Sequence, residues 1–366
     1  MRAVLIERFG IAPVLREVPE PVCPPHGVVV RVEATGLCRS DWHALMGHDP
    51  DVALPHVPGH EFAGALHEVG AEVSGWAVGD RVTAPFVNAC GRCPQCLAGD
   101  QQVCAAQTQP GFTRWGSFAE LVTVERAEVN LVALPDGVDA ATAAGLGCRF
   151  ATAYRAVVEV GRVAAGEWVA VHGCGGVGLS AVMIARAAGA RVVAVDVSAA
   201  ALALASQFGA EAVVDAGAPD CRDAGRPDGP VSPGRVAAQV RAAAGGGVQV
   251  SLDALGSEAT CAASVGSLRP RGRHVQVGLL PSVLGLPRVP MHLVVAGELE
   301  LLGSHGMAAR SYPGMLGLVA AGRLDPGALV RRRIGLEAAG EELLAMGRPA
   351  RPGADGPPGG VTVAIP

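Results

Sequence analysis

Six cysteines and one histidine within residues 38–148 carry the strongest chemical signal in this 366-residue chain. The stretch "CGRCPQCLAGDQQVC" separates Cys90, Cys93, Cys96 and Cys104 by two, two and seven residues. Four thiolates at such intervals, in a loop marked by Gly and Pro, can close a tetrahedron around one zinc ion. That set leaves no coordination position for a substrate, so it pins a loop that has no core of its own. A second set is quieter. Cys38 in "GLCRSDWH", His60 in "GHEFAG" and Cys148 in "GLGCRFATAY" offer two thiolates and an imidazole from three distant segments. Three ligands leave a fourth position open for water or substrate, which a catalytic zinc requires. Either thiol could instead be an ordinary buried cysteine. Cys23, Cys221 and Cys261 have no partners at metal spacing.

The third constellation is "VAVHGCGGVGLSAVMIARAAGARVVAVDVS", where Gly173, Gly175 and Gly178 stand in G-x-G-x-x-G spacing with Gly176 and Val177 between the last two. A bare match is weak among 50 glycines. Its context agrees with dinucleotide binding: an apolar strand before, a helix after, and Asp196 closing the next strand at the expected distance of ~20 residues. The first glycine permits the turn, the second admits the pyrophosphate, and the third lets helix and strand pack. The helix N-terminus faces the phosphates. Asp196 would accept hydrogen bonds from ribose hydroxyls and repel a 2′-phosphate, which favours NAD over NADP. Cys174 inside this loop reads as a small filler.

The elements that must hold these residues follow from the apolar patterning. The first third reads as short strands between turn signals, "GVVVRVEATGL", "FAGALHEVG" and "GDRVTAPF", suggesting a small irregular barrel. From about residue 150 strand and helix alternate: "EWVAVHG", "VGLSAVMIARAAG", "RVVAVDVS", "AALALASQFGA", "AVVDA". That alternation predicts parallel strands with crossover helices, continuing to about Leu302. The remainder returns to mixed segments ending in "GVTVAIP". "GAPDCRDAGRPDGPVSPG" and "RPARPGADGPPGG" are too dense in Pro and Gly to hold an element and read as mobile surface loops.

Composition excludes several classes. A net charge of -5 leaves no electrostatic footprint for nucleic acid. The chain contains no lysine, which removes Schiff-base chemistry and the P-loop lysine. The longest apolar run, around Trp168 to Ala185, is broken by His172 and glycines and reads as strand, turn and helix rather than a membrane span. The opening "MRAVLIERFG" reads as a first strand rather than a basic leader. A cytoplasmic protein is therefore expected, and ten cysteines under reducing conditions point to metal ligation rather than disulfides.

Taken with "GHEFAGALHEVGAEVSGWAVGDRV", the four-cysteine loop, the glycine loop and their order, the chain resembles the zinc-dependent medium-chain alcohol dehydrogenases over almost its full length. The resemblance implies a GroES-like β-barrel catalytic domain at 1–149, with a structural zinc lobe at about 88–106. It further implies a Rossmann, doubly wound NAD-binding domain at 150–302 and a return to the catalytic domain at 303–366. It implies two zinc ions per chain: Cys38, His60 and Cys148 as catalytic ligands, and Cys90, Cys93, Cys96 and Cys104 as structural ones. Ser40 matches the hydroxyl that takes the alcohol's proton, His43 the histidine that passes it to solvent, and Arg39 a pyrophosphate contact. Asp41 matches a carboxylate orienting His60, and Glu61 an acidic residue beside the zinc that ligates it transiently. Phe86 matches an aromatic pocket wall, with Trp42 and Leu146 also bearing on pocket size. His48, His56 and His305 are further candidates for approach to the cleft, while His26, His67, His274 and His292 read as structural or exposed.

The chemistry supports these roles. Zinc lowers an alcohol's pKa from ~16 toward neutrality, and Ser40, a cofactor ribose hydroxyl and His43 could relay the proton outward. Competing roles remain open: Ser40 or Asp41 as a helix cap, and His43 as a surface histidine. The expected function is reversible hydride transfer between an alcohol and NAD, by a homo-oligomer (dimer or tetramer) that needs neither membrane nor nucleic acid. Alternatives are a polyol or amino-alcohol dehydrogenase, a biosynthetic carbonyl reductase, a zinc-free enone or quinone reductase, and a noncatalytic zinc-ribbon module. Many polyol enzymes of the family it resembles carry Glu as the third ligand, so the resemblance with Cys148 there implies simple alcohols rather than polyols. The module would need a basic, aromatic surface, and the cysteine loop has one Arg and no aromatic residue.

Overall fold

The computed structural model describes residues 1–223, 229–280, 286–347 and 360–366. Two compact units result. One comprises Met1–Ala151, resumes at Gly306, and includes Val361–Pro366; the other comprises Thr152–His305.

In the first unit the valine-rich segment Val28–Gly36 is the organising strand. It pairs antiparallel with Phe62–Val69 along its length, with Leu121–Val124 at its start and with Val361–Ile365 at its end. Alternate side chains Val28, Val30 and Val32 enter a core with Phe62, Leu66, Val82 and Val122, so the irregular sheet wraps one apolar interior. Gly64 has no room for a side chain, since a Cβ there would overlap the Arg31 carbonyl oxygen of the paired strand. The sheet leads directly to the chemistry. Val28–Gly36 ends two residues before Cys38, and Phe62–Val69 starts two after His60.

The second unit is a six-stranded parallel sheet in the spatial order Ala212–Asp215, Arg191–Asp196, Trp168–His172, Val248–Asp253, Leu268–Gln276, Glu300–Gly303. Counting strands along the chain, the order is 3-2-1-4-5-6, which reverses between Trp168–His172 and Val248–Asp253. Ligands of such sheets bind at that reversal, beyond the strands' carboxyl ends. The glycine loop leaves the sheet at this point.

Helix Gly176–Ala187 buries Leu179, Ala181, Val182, Ile184 and Ala185. Small residues let it lie close to the sheet. At Gly178 a Cβ would overlap the Gly173 carbonyl oxygen. Residues 224–228 of the loop expected at 217–234 lie outside the described residues, and its described ends hold short elements. Pro219–Cys221 forms a 3-10 turn with Cys221 buried, Arg222 bridges to Val231, and a helix starts at Pro233. Proline at the first helical position starts a helix rather than breaking it. The loop "RPARPGADGPPGG" lies, apart from its last residue Gly360, outside the described residues.

Candidate metal centres and cofactor site

The helix Arg39–Leu45, designated α1, carries one edge of the first site. Its N-cap is Cys38, not Ser40. The Cys38 backbone N–H donates to Asp41 Oδ2 at 3.0 Å, so the third helical residue closes the first turn. The other Asp41 oxygen accepts from Gly59 N at 3.1 Å and from His60 Nδ1 at 2.7 Å. Asp41 and His60 are both buried. Gly59 must be glycine: its φ is +105°, and Phe118 and Ser117 occupy the space of a Cβ.

Cys148 arrives on a π-helical turn, Leu146–Phe150, which places its thiol beside the Cys38 thiol and the His60 imidazole. Single π turns inside helices recur at functional sites. Ligand atoms of Cys38, His60, Glu61 and Cys148 all lie within 4.8 Å of one another. With Nδ1 held by Asp41, His60 presents a buried Nε2 that has no hydrogen-bond partner. An imidazole nitrogen left bare among two thiols and a carboxylate fits a zinc ion, whose ligands need this second support.

The electrostatics are those of an ion site. The neighbouring Cys148 thiol pulls the Cys38 thiol well below its ordinary pKa, with the charge of a protonated His60 adding to this, although burial opposes it. The same contact with Cys38, aided by burial, holds Cys148 well above. Burial disfavours a charged His60, but the Asp41 carboxylate overrides it and raises the ring well above its usual value. Metal binding would displace such a proton.

Glu61 is fully buried, and burial pushes its carboxyl up to about 7 against the pull of Arg149. Arg149 clamps it. The Arg149 backbone N–H and Nε donate to Glu61 Oε1 at 2.8 and 3.0 Å, its Nη2 pairs with Oε2, and its Nη1 donates to the Leu37 carbonyl at 2.8 Å. Gly36 makes room, since a Cβ there would press on both partners. Arg149 escaped the sequence-based assignment, and its signal was a charge set directly after Cys148 in an apolar run. Phe112 also escaped it; its ring lies 5.1 Å from that of His60, closer than Phe86 at 6.1 Å.

Other assigned residues fall as follows. Ser40 Oγ accepts a long contact from Cys38 Sγ at 3.8 Å. Arg39 is exposed, donates to the Met346 carbonyl at 2.6 Å and lies over the Trp42 ring. Trp42 packs against the first unit's core and beneath Gly347. Leu146 is fully buried. His43 and His48 are exposed and touch through their Nδ1 atoms at 3.0 Å. His56 and His274 are buried, whereas His305 is exposed.

The four-cysteine loop is a separate cluster in the same unit, with all four sulfurs within 4.8 Å. Cys93 Sγ lies 3.4 Å from Cys96 Sγ and 3.7 Å from Cys104 Sγ. Backbone N–H groups of Cys90 and Ala106 donate to Cys104 Sγ at 3.3 and 3.4 Å. Backbone donation at Cys96 draws the Cys93 thiol down to about 6, while burial pushes Cys96 up to about 12. Four sulfurs with N–H support fit a closed zinc site.

In the second unit Gly173 adopts φ +90°, and at Gly175 a Cβ would meet open space. The loop therefore presents bare backbone ahead of a 12-residue helix, which fits a pyrophosphate. Asp196 holds the loop: its Oδ2 accepts from Cys174 N at 2.6 Å and its Oδ1 from Ser198 N at 2.9 Å. Cys174 is buried, with its pKa raised mainly by burial.

Comparisons with known proteins agree with this architecture. Residues 24–136 match the alcohol dehydrogenase GroES-like domain, and 176–321 match the zinc-binding dehydrogenase domain. The chain is 35% identical over 306 residues to an alcohol dehydrogenase of Geobacillus stearothermophilus, covering 83% of this chain and 84% of that one. It is 31% identical over 352 residues to an NAD-dependent alcohol dehydrogenase of Sulfurisphaera tokodaii, covering 94% and 95%. A solved zinc-binding dehydrogenase from Sinorhizobium meliloti, bound to NADP, superposes with a TM-score of 0.82 at 30% identity, covering 100% and 99%. The chain belongs to the zinc-dependent medium-chain alcohol dehydrogenase family, and it is an oxidoreductase of that type.

Proposed function

We propose that the protein oxidises simple alcohols reversibly with NAD, using Cys38, His60 and Cys148 to hold the working zinc and the Cys90–Cys104 lobe to hold a structural one. The observation that carries this is the bare, buried Nε2 of His60 among two thiols. Zinc, when bound, supplies Lewis acidity that makes an alcohol hydroxyl acidic near neutral pH. NAD supplies the hydride acceptor.

The chain's own residues do the rest. Asp41 keeps the His60 proton on Nδ1 and fixes the ring. Arg149 keeps Glu61 paired beside the ligands. Phe86 and Phe112 flank His60 and exclude water from that side. Ser40 and His43 stand three residues apart on α1, so they share a face along which a proton can leave. Gly173, Gly175, Gly176, Val177 and Gly178 form the phosphate cradle.

Asp196 is the residue that favours NAD, because a carboxylate at the end of its strand repels a 2′-phosphate. NADP is the competing reading, raised by the NADP-bound relative. NADH and NADPH formation with a panel of primary, secondary and aromatic alcohols tests both. NAD should be preferred, and Asp196→Gly should narrow that preference by about 10-fold or more, one decade being the ~1.4 kcal/mol scale of a single charge contact. Preference for NADP in the unaltered protein would overturn the cofactor reading.

Six of the ten cysteines stand in the two metal clusters rather than in disulfides, which supports a reducing cytoplasm. Among the described residues no helix is long and apolar enough to cross a membrane. Self-association is supported by the edge strand Glu300–Gly303, which among the described residues has one partner strand and exposes Leu301, and by the helix Met291–Gly297, none of whose residues is buried among the described residues. Light scattering should give a mass above that of one chain.

A further inference from the structure

The end of α1 builds a histidine pair that nothing in the chemistry above requires. Gly47 adopts φ +71°, its N–H donates to the Ala44 carbonyl at 3.1 Å, and the His48 N–H donates to the His43 carbonyl at 3.0 Å. These two bonds are those of a Schellman motif, which brings the side chains of the third-last helical residue and of the second residue after the cap together. Here those residues are His43 and His48. Their Nδ1 atoms lie 3.0 Å apart, their ring centroids 5.3 Å apart, and Trp42 stands edge-on to both. Gly47 also lies against the Phe9 ring, which packs over the turn. Backbone geometry, not a chance rotamer of two exposed rings, sets the contact.

A nitrogen-to-nitrogen hydrogen bond needs one ring to donate and the other to accept, so the two Nδ1 atoms share one proton. We propose that His48 is the exit residue of the proton path, taking from His43 Nδ1 the proton that His43 must shed after receiving one at Nε2. This rests on His43 serving as the relay histidine. In alcohol oxidation the hydroxyl proton arrives at His43 Nε2, the Nδ1–H bond of His43 breaks as a bond to His48 Nδ1 forms, and His48 Nε2–H gives its proton to water. One proton enters and one leaves, and carbonyl reduction runs the steps backward. Both rings are exposed, so exchange with water restores the starting tautomers between turnovers. Burial, and then His48 and Arg39, hold His43 below its ordinary pKa, which keeps it neutral and able to accept.

Stopped-flow single turnovers test this, with NAD and the fastest alcohol of the panel, in weak buffer with a pH indicator. NADH absorbance reads hydride transfer and the indicator reads proton release. His48→Ala should slow proton release about 10-fold, less than the ~10²-fold that loss of a positioned acid or base brings, because His43 keeps a direct route to water. Added imidazole should restore it. His48→Gln keeps a donor and an acceptor at the position but cannot carry a proton, so it should be slowed alike. Wild-type release in both variants, or full recovery in His48→Gln without imidazole, would overturn the exit role. His43→Ala separates the two levels. If it is slow while the His48 variants are normal, the relay stands and the exit role falls; if neither is slow, the relay itself falls.

Discussion

The two metal sites of the first unit are built by opposite strategies. In the lobe the four sulfurs come from a single stretch of 15 residues, their support is backbone N–H, and Cys90 and Cys93 are only half-buried. The Cys38, His60 and Cys148 site draws its ligands from positions up to 110 residues apart, and buried side-chain charges support it: Asp41 behind His60, and Arg149 around Glu61. Local support can close a shell but leaves nothing adjustable. A site assembled from distant segments has side chains facing it from several elements, so its charge and its open position can be tuned for reaction. The lobe is therefore a staple and the other site a reagent, and their responses to damage should differ in kind.

The largest contrast is in turnover. Cys38→Ser should reduce it about 10³-fold, since metal activation contributes several kcal/mol at ~1.4 kcal/mol per decade. Metal analysis should fall from two zinc ions per chain to one, with folding largely retained. Retained turnover would show that the reagent site has been misplaced.

The next effect is on the charges around that site. Arg149→Met leaves Glu61 buried without its partner, which costs about 3–5 kcal/mol of stability. It should also weaken zinc binding at the reagent site by about 10–100-fold in chelator competition. Adding Glu61→Gln to Arg149→Met should recover much of the stability, because a neutral side chain is cheaper to bury. Equal stability in all three proteins, by urea unfolding, would reduce the clamp to an incidental contact.

This contrast also governs what could be read in advance. The lobe was legible because its ligands, spacing and loop chemistry are contiguous. The parallel sheet was legible because period-2 and period-3.6 apolar patterns alternate from residue 150 onward, down to the strands Trp168–His172 and Arg191–Asp196. The Schellman end of α1 is also written locally, as a glycine between two histidines five residues apart. Arg149 was not legible: it follows a thiol in an apolar run, and only the folded end of Val28–Gly36, where Gly36 makes room, aims it at Glu61. The burial of Leu146 was not legible either. Proximity to Cys148 in the chain said nothing about which way the π-helical turn points its side chain. The helix start at Pro233 was not legible because prolines were counted without regard to position, and a proline there opens a helix.

The smallest effect on chemistry should come from the lobe, and it is the sharpest test of the division of labour. Cys93→Ser removes a sulfur within 4 Å of two others and drawn toward the thiolate by backbone donation. Three thiols that repel one another as anions cannot keep a zinc as four can, so this metal should be lost first. The loop from Cys90 to Cys104 then has only a small cluster, Ala89, Cys96 and Cys104 with Val129, to hold it. Because metal binding there is folding free energy, the loss should appear as faster thermal inactivation. NAD affinity should be unchanged, and initial turnover at 25 °C close to that of the unaltered protein, because Asp41, His60 and Arg149 take their support from other segments. If turnover instead collapses while thermal tolerance and the second zinc survive, staple and reagent have been exchanged.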